Sequence, residues 1–558
     1  MDIASAQREK LHRLIREAVD KAAASGELTF TEIPEFVLET PKDPNHGDFA
    51  SNVALVSAKA ARKSPLEVAS ILVKYIPVGG FITKVEVAGP GFINFFLSQE
   101  WLGDILRAVE LQGENYGASN YGQGERVLLE FVSANPVGPL NVVNARAAAV
   151  GDTLARLLRA CGYGVGTEFY VNDAGNQADV FARSLIARCR QLIDPDYPFP
   201  EEGYPGDYVI DLAKRLLVEK PEVLELPEEE QLAFCKRWGT DQMVAGQAAD
   251  LRGYGVEFDL WFRERDLHAQ GRLEELIEFF RDKGHLYEED GALWFRSTTF
   301  GDDKDRVLIK SDGAYTYVTA DIAYHHDKLK RGYTKLIDIL GPDHHGYIGR
   351  MKAAVQALGY GEDTLEVLIL QYVALLRDGK PVKMSKRAGE FVTMRELVDE
   401  VGRDAARFFF LMRSLESHLD FDLDLAVEQS SENPVFYVQY AHARICSILR
   451  QAEEAGIGVP TTAEVDLSLL TEEAEINLIK KMGELPEEIL LAATLREPHR
   501  IARYALDLAG IFHSFYTHCH VLGEEAPLRD ARLVLVKCVQ TVLRRSLELL
   551  GISAPEQM

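Results

Sequence analysis

EFVSANPVGPLNVVNARAAAVG, residues 130–151, is the stretch from which the fold can be read. The apolar run Val127-Leu128-Leu129 enters it as a strand. Asn135-Pro136-Val137-Gly138-Pro139 then supplies turn chemistry, and an Ala-rich segment carrying Asn141, Asn144 and Arg146 continues as a helix. A strand, a tight loop and a helix N-terminus make an anion site, because first-turn N–H groups lack intrahelical partners and the helix dipole is positive there. Asn141 and Asn144 are spaced to share one helix face at its mouth.

Downstream, a second strand near residues 167–171 completes a βαβ unit and implies a parallel sheet. Asn172-Asp173-Ala174-Gly175-Asn176 follows at its C-terminal edge, where open α/β sheets bind ligands. Residues 177–284 read as a mostly helical, acidic insertion. Strand patterns resume at 292–295, 306–309, 315–318 and 335–340, which would complete the sheet, and again at 366–372. Upstream, residues 1–110 form a small α+β unit with one helix over 53–75, and 112–124 look like a linker. The loop at residues 45–52 is a turn or a partner contact. From residue 391 to 558 the pattern is helical throughout. The expected fold is an α/β Rossmann-like parallel-sheet domain (125–390) with a helical insertion, preceded by α+β and followed by an all-α bundle.

Composition agrees with several soluble domains. The chain has 558 residues, 47% hydrophobic and 27% charged, and no run of 18 apolar residues. The first residues read as an amphipathic helix rather than a signal peptide, so a cytoplasmic protein is expected. Six singly scattered cysteines indicate neither a zinc ribbon nor a disulfide framework. A net charge of −26 argues against non-specific coating of nucleic acid, while leaving room for a local basic face.

Lys383-Met384-Ser385-Lys386-Arg387 lies in a Gly- and Pro-flanked loop. Its two ammonium groups can approach different oxygens of one polyphosphate as charge builds on a leaving group. Paired with the upstream anion site, this loop gains specificity. Asp343-His344-His345 with His325-His326 offers metal-ligand types, hence a second reading as a metal-dependent phosphoesterase, though no helical H-x-x-x-H accompanies them.

These motifs, in this order, resemble class I aminoacyl-tRNA synthetases, and more narrowly the arginyl-tRNA synthetase family. Further matching stretches are Asn45-His46-Gly47-Asp48-Phe49, Gly89-Pro90-Gly91-Phe92-Ile93-Asn94, Asn172 to Gln177, Gly301-Asp302-Asp303-Lys304-Asp305-Arg306, and Asn433 to Arg444. The resemblance spans essentially the whole chain. It implies ATP-dependent ligation of L-arginine to tRNA(Arg) through an arginyl-adenylate, with Mg2+ accompanying ATP and no dedicated metal site. One departure stands out: the His-x-Gly-His that class I members usually carry is Asn141-Val142-Val143-Asn144 here. An Asn amide can donate to a phosphate oxygen but cannot become cationic. A working enzyme and an impaired tRNA-binding paralogue are the two alternatives, the first favoured because the surrounding motifs are intact.

The resemblance also assigns candidate residues. Asn141, Asn144, Lys383 and Lys386 would be catalytic. Ser133, Ala134, Asn135, Pro136, Gly138, Pro139 and Leu140, with His345, Met384 and Ser385, would hold ATP. A guanidinium seeks carboxylate partners, and Glu130, Asn135, Tyr317 and Asp321 match arginine-binding positions; a helix N-cap is the other reading of Asp321. In the helical part, Arg496, Arg500 and Arg503 are spaced to share one helix face, with Tyr437, Tyr440 and Arg444 also offered to tRNA. Tyr504, Phe515 and Tyr516 are further rings, with stacked bases and the bundle core as the two readings of each. The N-terminal unit would add tRNA contacts, the bundle would hold the anticodon, and a monomer is expected.

Overall fold

The computed structural model describes residues 3–29, 34–41, 43–382 and 392–558. The expected phosphate loop Lys383-Met384-Ser385-Lys386-Arg387 lies outside the described residues, as does the His345 side chain.

The N-terminal unit sets the helix Ile3–Ala24 against a four-stranded antiparallel sheet in the order Leu38–Glu39, Phe49–Ser51, Phe92–Leu97, Ile82–Ala88. The single helix expected over 53–75 is two, Val53–Ala61 and Pro65–Tyr75. Arg62 turns the chain through a left-handed φ of 52°, and Ser64 restarts the helix in a capping box with Glu67. In the 45–48 loop Asn45 and His46 are exposed, while Gly47 and Asp48 turn inward. A Cβ on Gly47 would stand 2.6 Å from the Phe95 carbonyl oxygen, and Asp48 accepts from Leu97 N–H at 2.7 Å while pairing with Lys480 at 2.6 Å. This loop therefore ties the unit to the distant helical region.

The central sheet contains β1 Arg126–Glu130, β2 Gly164–Val171, β3 Leu260–Arg263, β4 Lys335–Leu340 and β5 Leu365–Ile369, all parallel and ordered β5-β4-β1-β2-β3. Helix α1, Val142–Ala160, crosses from β1 to β2. It packs closely because Gly151 lies against Phe131, where a Cβ would come within 2.2 Å of the ring. The sheet differs from expectation in its later members. The strand β3 was hidden in the supposed helical insertion, which ends at Gly253 and has its own core around Phe181, Leu185, Val209 and Leu216. The pattern at Ala292–Phe295 pairs with Leu286–Glu289 on one side and with Arg306–Ile309 on the other, in a separate antiparallel sheet instead of completing the main one. Residues 315–318 are not a strand: Thr316 is the N-cap of α2, Tyr317–Lys330.

The C-terminal region is helical from Met394–Val401 to Ala526–Leu549, with one exception. Leu419–Asp422 is a strand parallel to Val373–Arg377, which also pairs with Lys380–Pro381. One hydrophobic core runs from the N-terminal unit through α1 into the bundle, and all six cysteines are buried thiols.

Candidate active site

Strand order reverses between β1 and β4, so the crevice above their C-terminal ends is the expected ligand site of such a sheet. Glu130 ends β1 and sits in register with Asp338 of β4. Lys328 rises from α2 with its side chain wholly buried; its Nζ lies 2.5 Å from Glu130 Oε2 and 2.9 Å from Asp338 Oδ1. His325 reaches the other Asp338 oxygen at 2.9 Å. Next to them, Glu168 accepts from Tyr324 Oη at 2.6 Å and from both terminal nitrogens of Arg331. Buried carboxylates thus lie in fully hydrogen-bonded pairs, which offsets their desolvation.

Beyond β1 the chain reverses sharply. Ser133 N–H donates to the Phe131 carbonyl at 3.0 Å, with φ of 70° at Val132 and 38° at Ser133. Such angles are strained for residues with a Cβ, above all a β-branched one, and persist only where surroundings enforce them. Here Ser133 Oγ donates to Glu130 Oε1 at 2.8 Å and accepts from Tyr170 N–H at 3.1 Å. The following loop is clamped by the insertion. Gln247 Nε2 donates to the carbonyls of Asn135 (3.1 Å) and Gly138 (2.9 Å), and Tyr208 Oη donates to that of Val137 at 2.7 Å. Asn135 Nδ2 donates to Gln177 Oε1 at 2.8 Å.

The two asparagines cap their own helix. Asn141 Oδ1 accepts from the N–H groups of Val143 (2.9 Å) and Asn144 (3.1 Å), while Asn144 Oδ1 accepts from Asn141 N–H at 3.0 Å. This reciprocal box engages the very N–H groups that the anion-site reading left free. What the mouth offers instead is the pair of side-chain NH2 groups, neither bonded among the described residues. Asn141 also forms a β-bridge with Thr393, and Met394 N–H donates to the Leu140 carbonyl at 2.8 Å, so the segment that begins at residue 392 runs beside Asn141. Arg146 is buried and donates to the carbonyls of Gln371 (2.8 Å), Ser414 (2.9 Å) and Ser417 (3.1 Å). With no carboxylate beside it, burial lowers its pKa to about 10.

Asp321 is no N-cap, since α2 begins at Tyr317. Its carboxylate makes no hydrogen bond or ion pair among the described residues, and burial raises its pKa to about 7, with Glu264 and Glu130 adding to the rise and His325 and Arg350 opposing it. Tyr170 and Tyr347 feel the same carboxylates and are also pushed up, chiefly by burial. Tyr317, 63% exposed, stands at the rim with its ring near Gly175. Of the residues expected to bind arginine, Glu130 and Asp321 lie near enough for their charges to interact, Tyr317 stands by Gly175, and Asn135 sits in the loop after β1.

In the helical region the expected arginine stripe does not form. Arg496 lies in the turn before His499–His518, at φ of 58°, and pairs with Glu366 of β5 at 3.1 Å. Arg500 is held by Glu488 through two bonds of 2.9 and 3.0 Å. Arg503 is exposed, without an ion pair among the described residues. Arg444 stacks between the rings of Tyr440 and Tyr516, 4.6 and 4.4 Å from their centroids, and Tyr437 packs on His513. Tyr504 and Phe515 belong to the core. His325 is occupied by Asp338, and among the described residues no group of three or more His, Cys, Asp or Glu is placed to hold a metal ion.

Sequence reading missed Lys328, Gln247 and Tyr208. Lys328 lies in the last turn of α2 with no motif of its own, and the other two sit in an insertion whose packing partner was unknown; no local signal marks them.

Residues 9–97 match the family model of the arginyl tRNA synthetase N-terminal domain, 254–413 that of the class I (R) tRNA synthetase catalytic domain, and 438–558 that of the DALR anticodon binding domain. The crevice at the sheet's switch point, flanked by an N-terminal α+β unit and a helical bundle, thus defines a class I aminoacyl-tRNA synthetase. An arginine–tRNA ligase of Symbiobacterium thermophilum is 52% identical over the full length of both chains, and that of Bacillus subtilis 49% identical, also over the full length of both. The solved arginyl-tRNA synthetase of Thermus thermophilus superposes with a TM-score of 0.73 at 25% identity, covering 98% of this chain and all of that one. The chain belongs to the arginyl-tRNA synthetase family.

Proposed function

We propose that the chain joins L-arginine to tRNA(Arg) in two steps. The arginine carboxylate attacks the α-phosphorus of ATP, forming arginyl-adenylate as the bond to diphosphate breaks. A hydroxyl of the terminal tRNA ribose then attacks the acyl carbon and AMP leaves. No covalent enzyme intermediate is needed, and catalysis consists of positioning and charge stabilisation.

The observation that carries this reading is Asp321, a half-buried carboxylate with no hydrogen bond or ion pair among the described residues, on the helix beside the C-terminal ends of β1 and β4. It suits the guanidinium, with Glu130, Asn135 and Tyr317 completing the amino-acid site. ATP lies along Ser133 to Leu140 and His345, with Asn141 and Asn144 donating side-chain NH2 groups to phosphate oxygens. Lys383, Met384, Ser385 and Lys386 act from the loop whose flanking residue Thr393 meets Asn141. Magnesium arrives with ATP as part of the substrate.

Residues 1–110 and 391–558 contact tRNA around the catalytic domain at 125–390. Tyr437, Tyr440, Arg444 and Arg503 are available to it, while Arg496 and Arg500 brace that face through their ion pairs. The chain acts as a cytoplasmic monomer, with catalysis and anticodon binding in one polypeptide. Among the described residues no helix is long and apolar enough to cross a membrane. Arginine-dependent pyrophosphate exchange with tRNA present, followed by charging, tests the reading. Tight tRNA binding without charging would overturn it; no observation favours such an impaired paralogue.

A further inference from the structure

We propose that Lys328 is a positioning residue for arginine selection: its one ammonium bridges Glu130 and Asp338 and fixes the Glu130 carboxylate, while Asp321, without an ion pair among the described residues, is left to meet the incoming guanidinium. This rests on the assignment of the crevice as the arginine site.

The geometry is specific. Glu130 and Asp338 are register partners on adjacent parallel strands, so their carboxyl groups rise side by side into the same layer. Two buried carboxylates so placed repel, and without a cation one would take up a proton. Lys328 prevents this from below, at 2.5 and 2.9 Å, with its third side toward the Tyr324 ring 4.3 Å from its centroid. Its side chain has no exposure, and its neighbours Glu168 and Asp338 are themselves tied to Arg331 and His325. The ammonium cannot leave for solvent or another partner.

The consequence is a division of roles between two acids. Glu130 is held on both oxygens, by Lys328 and by Ser133 Oγ at 2.8 Å, in a fixed orientation that keeps acceptor lone pairs while it shares one cation with Asp338. Asp321 has neither kind of partner. A ligand with one delocalised cation meets one uncompensated carboxylate and one oriented acceptor. Lys328 touches neither substrate in this arrangement, and acts only through Glu130. By the same reasoning, Ser133 links the amino-acid site to the strained turn that begins the ATP loop.

The test compares Lys328→Met, Lys328→Met/Asp338→Asn and Asp321→Asn in pyrophosphate exchange with saturating tRNA, measuring KM for arginine and ATP separately. The single Lys328 variant leaves two bare carboxylates and is expected to fold poorly. The double variant removes one of them and keeps the net charge of the group at minus one, while leaving Glu130 without its cation. The folded double variant should raise the arginine KM at least tenfold while the ATP KM stays within twofold. An unchanged arginine KM in it, or equal increases for both substrates, would overturn the role of Lys328. Asp321→Asn separates the two levels: if it too leaves the arginine KM unchanged, the crevice itself has been misassigned.

Discussion

Asp321 and Glu130 show how different two nearby acids become when only one has a cation. The folded protein holds a proton on Asp321 up to about pH 7, whereas an unfolded Asp releases it near about pH 4. Protons bound by the folded state but not the unfolded one make stability fall as pH rises through that window, and the cost is fully present above the folded value. The ligand-free protein should therefore lose thermal stability between about pH 4 and about pH 7 through this group, with no further loss from it above that. Saturating arginine, or Asp321→Asn, should abolish that component, as thermal melts across pH would record. Arginine must displace the proton below about pH 7, so its KM should climb roughly tenfold per unit on the acid side and flatten above. A flat arginine KM from pH 5.5 to 8.5 would contradict this. At the other residue pair, Asn141→Ala removes a cap that serves two N–H groups and should cost about 1 kcal/mol in stability. Restoring histidine by Asn141→His with Asn144→His breaks the same box, so exchange activity should fall; a gain would mean the asparagines are a weakened substitute.

Elements are placed here by close approaches that side chains either permit or enforce. Gly151→Ala puts a methyl into the Phe131 ring and should destabilise by about 1–3 kcal/mol or more, shifting α1 and with it Asn141. Denaturant unfolding together with the ATP KM would register both effects. Gln247→Leu releases two carbonyls of the 135–138 loop, and should raise the ATP KM several-fold with a smaller effect on arginine. The sequence made much of this element level legible: β1, α1, β2 and β4 follow from hydrophobic runs bounded by Gly, Pro and Asn, and the switch point follows from them. Three elements escaped for separate reasons. The strand β3 is four residues long and sits next to the helical insertion, so its pairing with β2 is decided by tertiary context. Tyr315 to Val318 alternates aromatic and β-branched residues as a strand would, yet Thr316 caps a helix there. The break after Ala61 was available in Ser64-Pro65 with Glu67, a capping box overlooked inside a long apolar pattern. The candidate site was legible where chemistry was carried by motif, at Glu130 to Asn144, and illegible where it is carried by packing, at Lys328 and Gln247.

Across the whole molecule, charge is the governing quantity for the tRNA partner. A net charge of −26 repels a polyanion, so cations free of ion pairs, such as Arg503, carry much of the attraction. Arg503→Glu should raise the tRNA KM several-fold while the arginine and ATP KM at saturating tRNA stay unchanged, and the effect should shrink as salt rises. Arg496 belongs to a different category, since its bond to Glu366 joins the bundle to the edge strand of the sheet. Asp48 with Lys480 does the same from the N-terminal unit.

The bridge between Asn141 and Thr393 also bears on synthesis. At roughly 5–20 residues per second on a ribosome, the second strand of that bridge would emerge on the order of ten to fifty seconds after the first. Throughout that interval α1 must keep its end intact alone. The reciprocal asparagine box is local in sequence and can close as soon as the first turn forms, protecting a nascent helix until its late partner arrives.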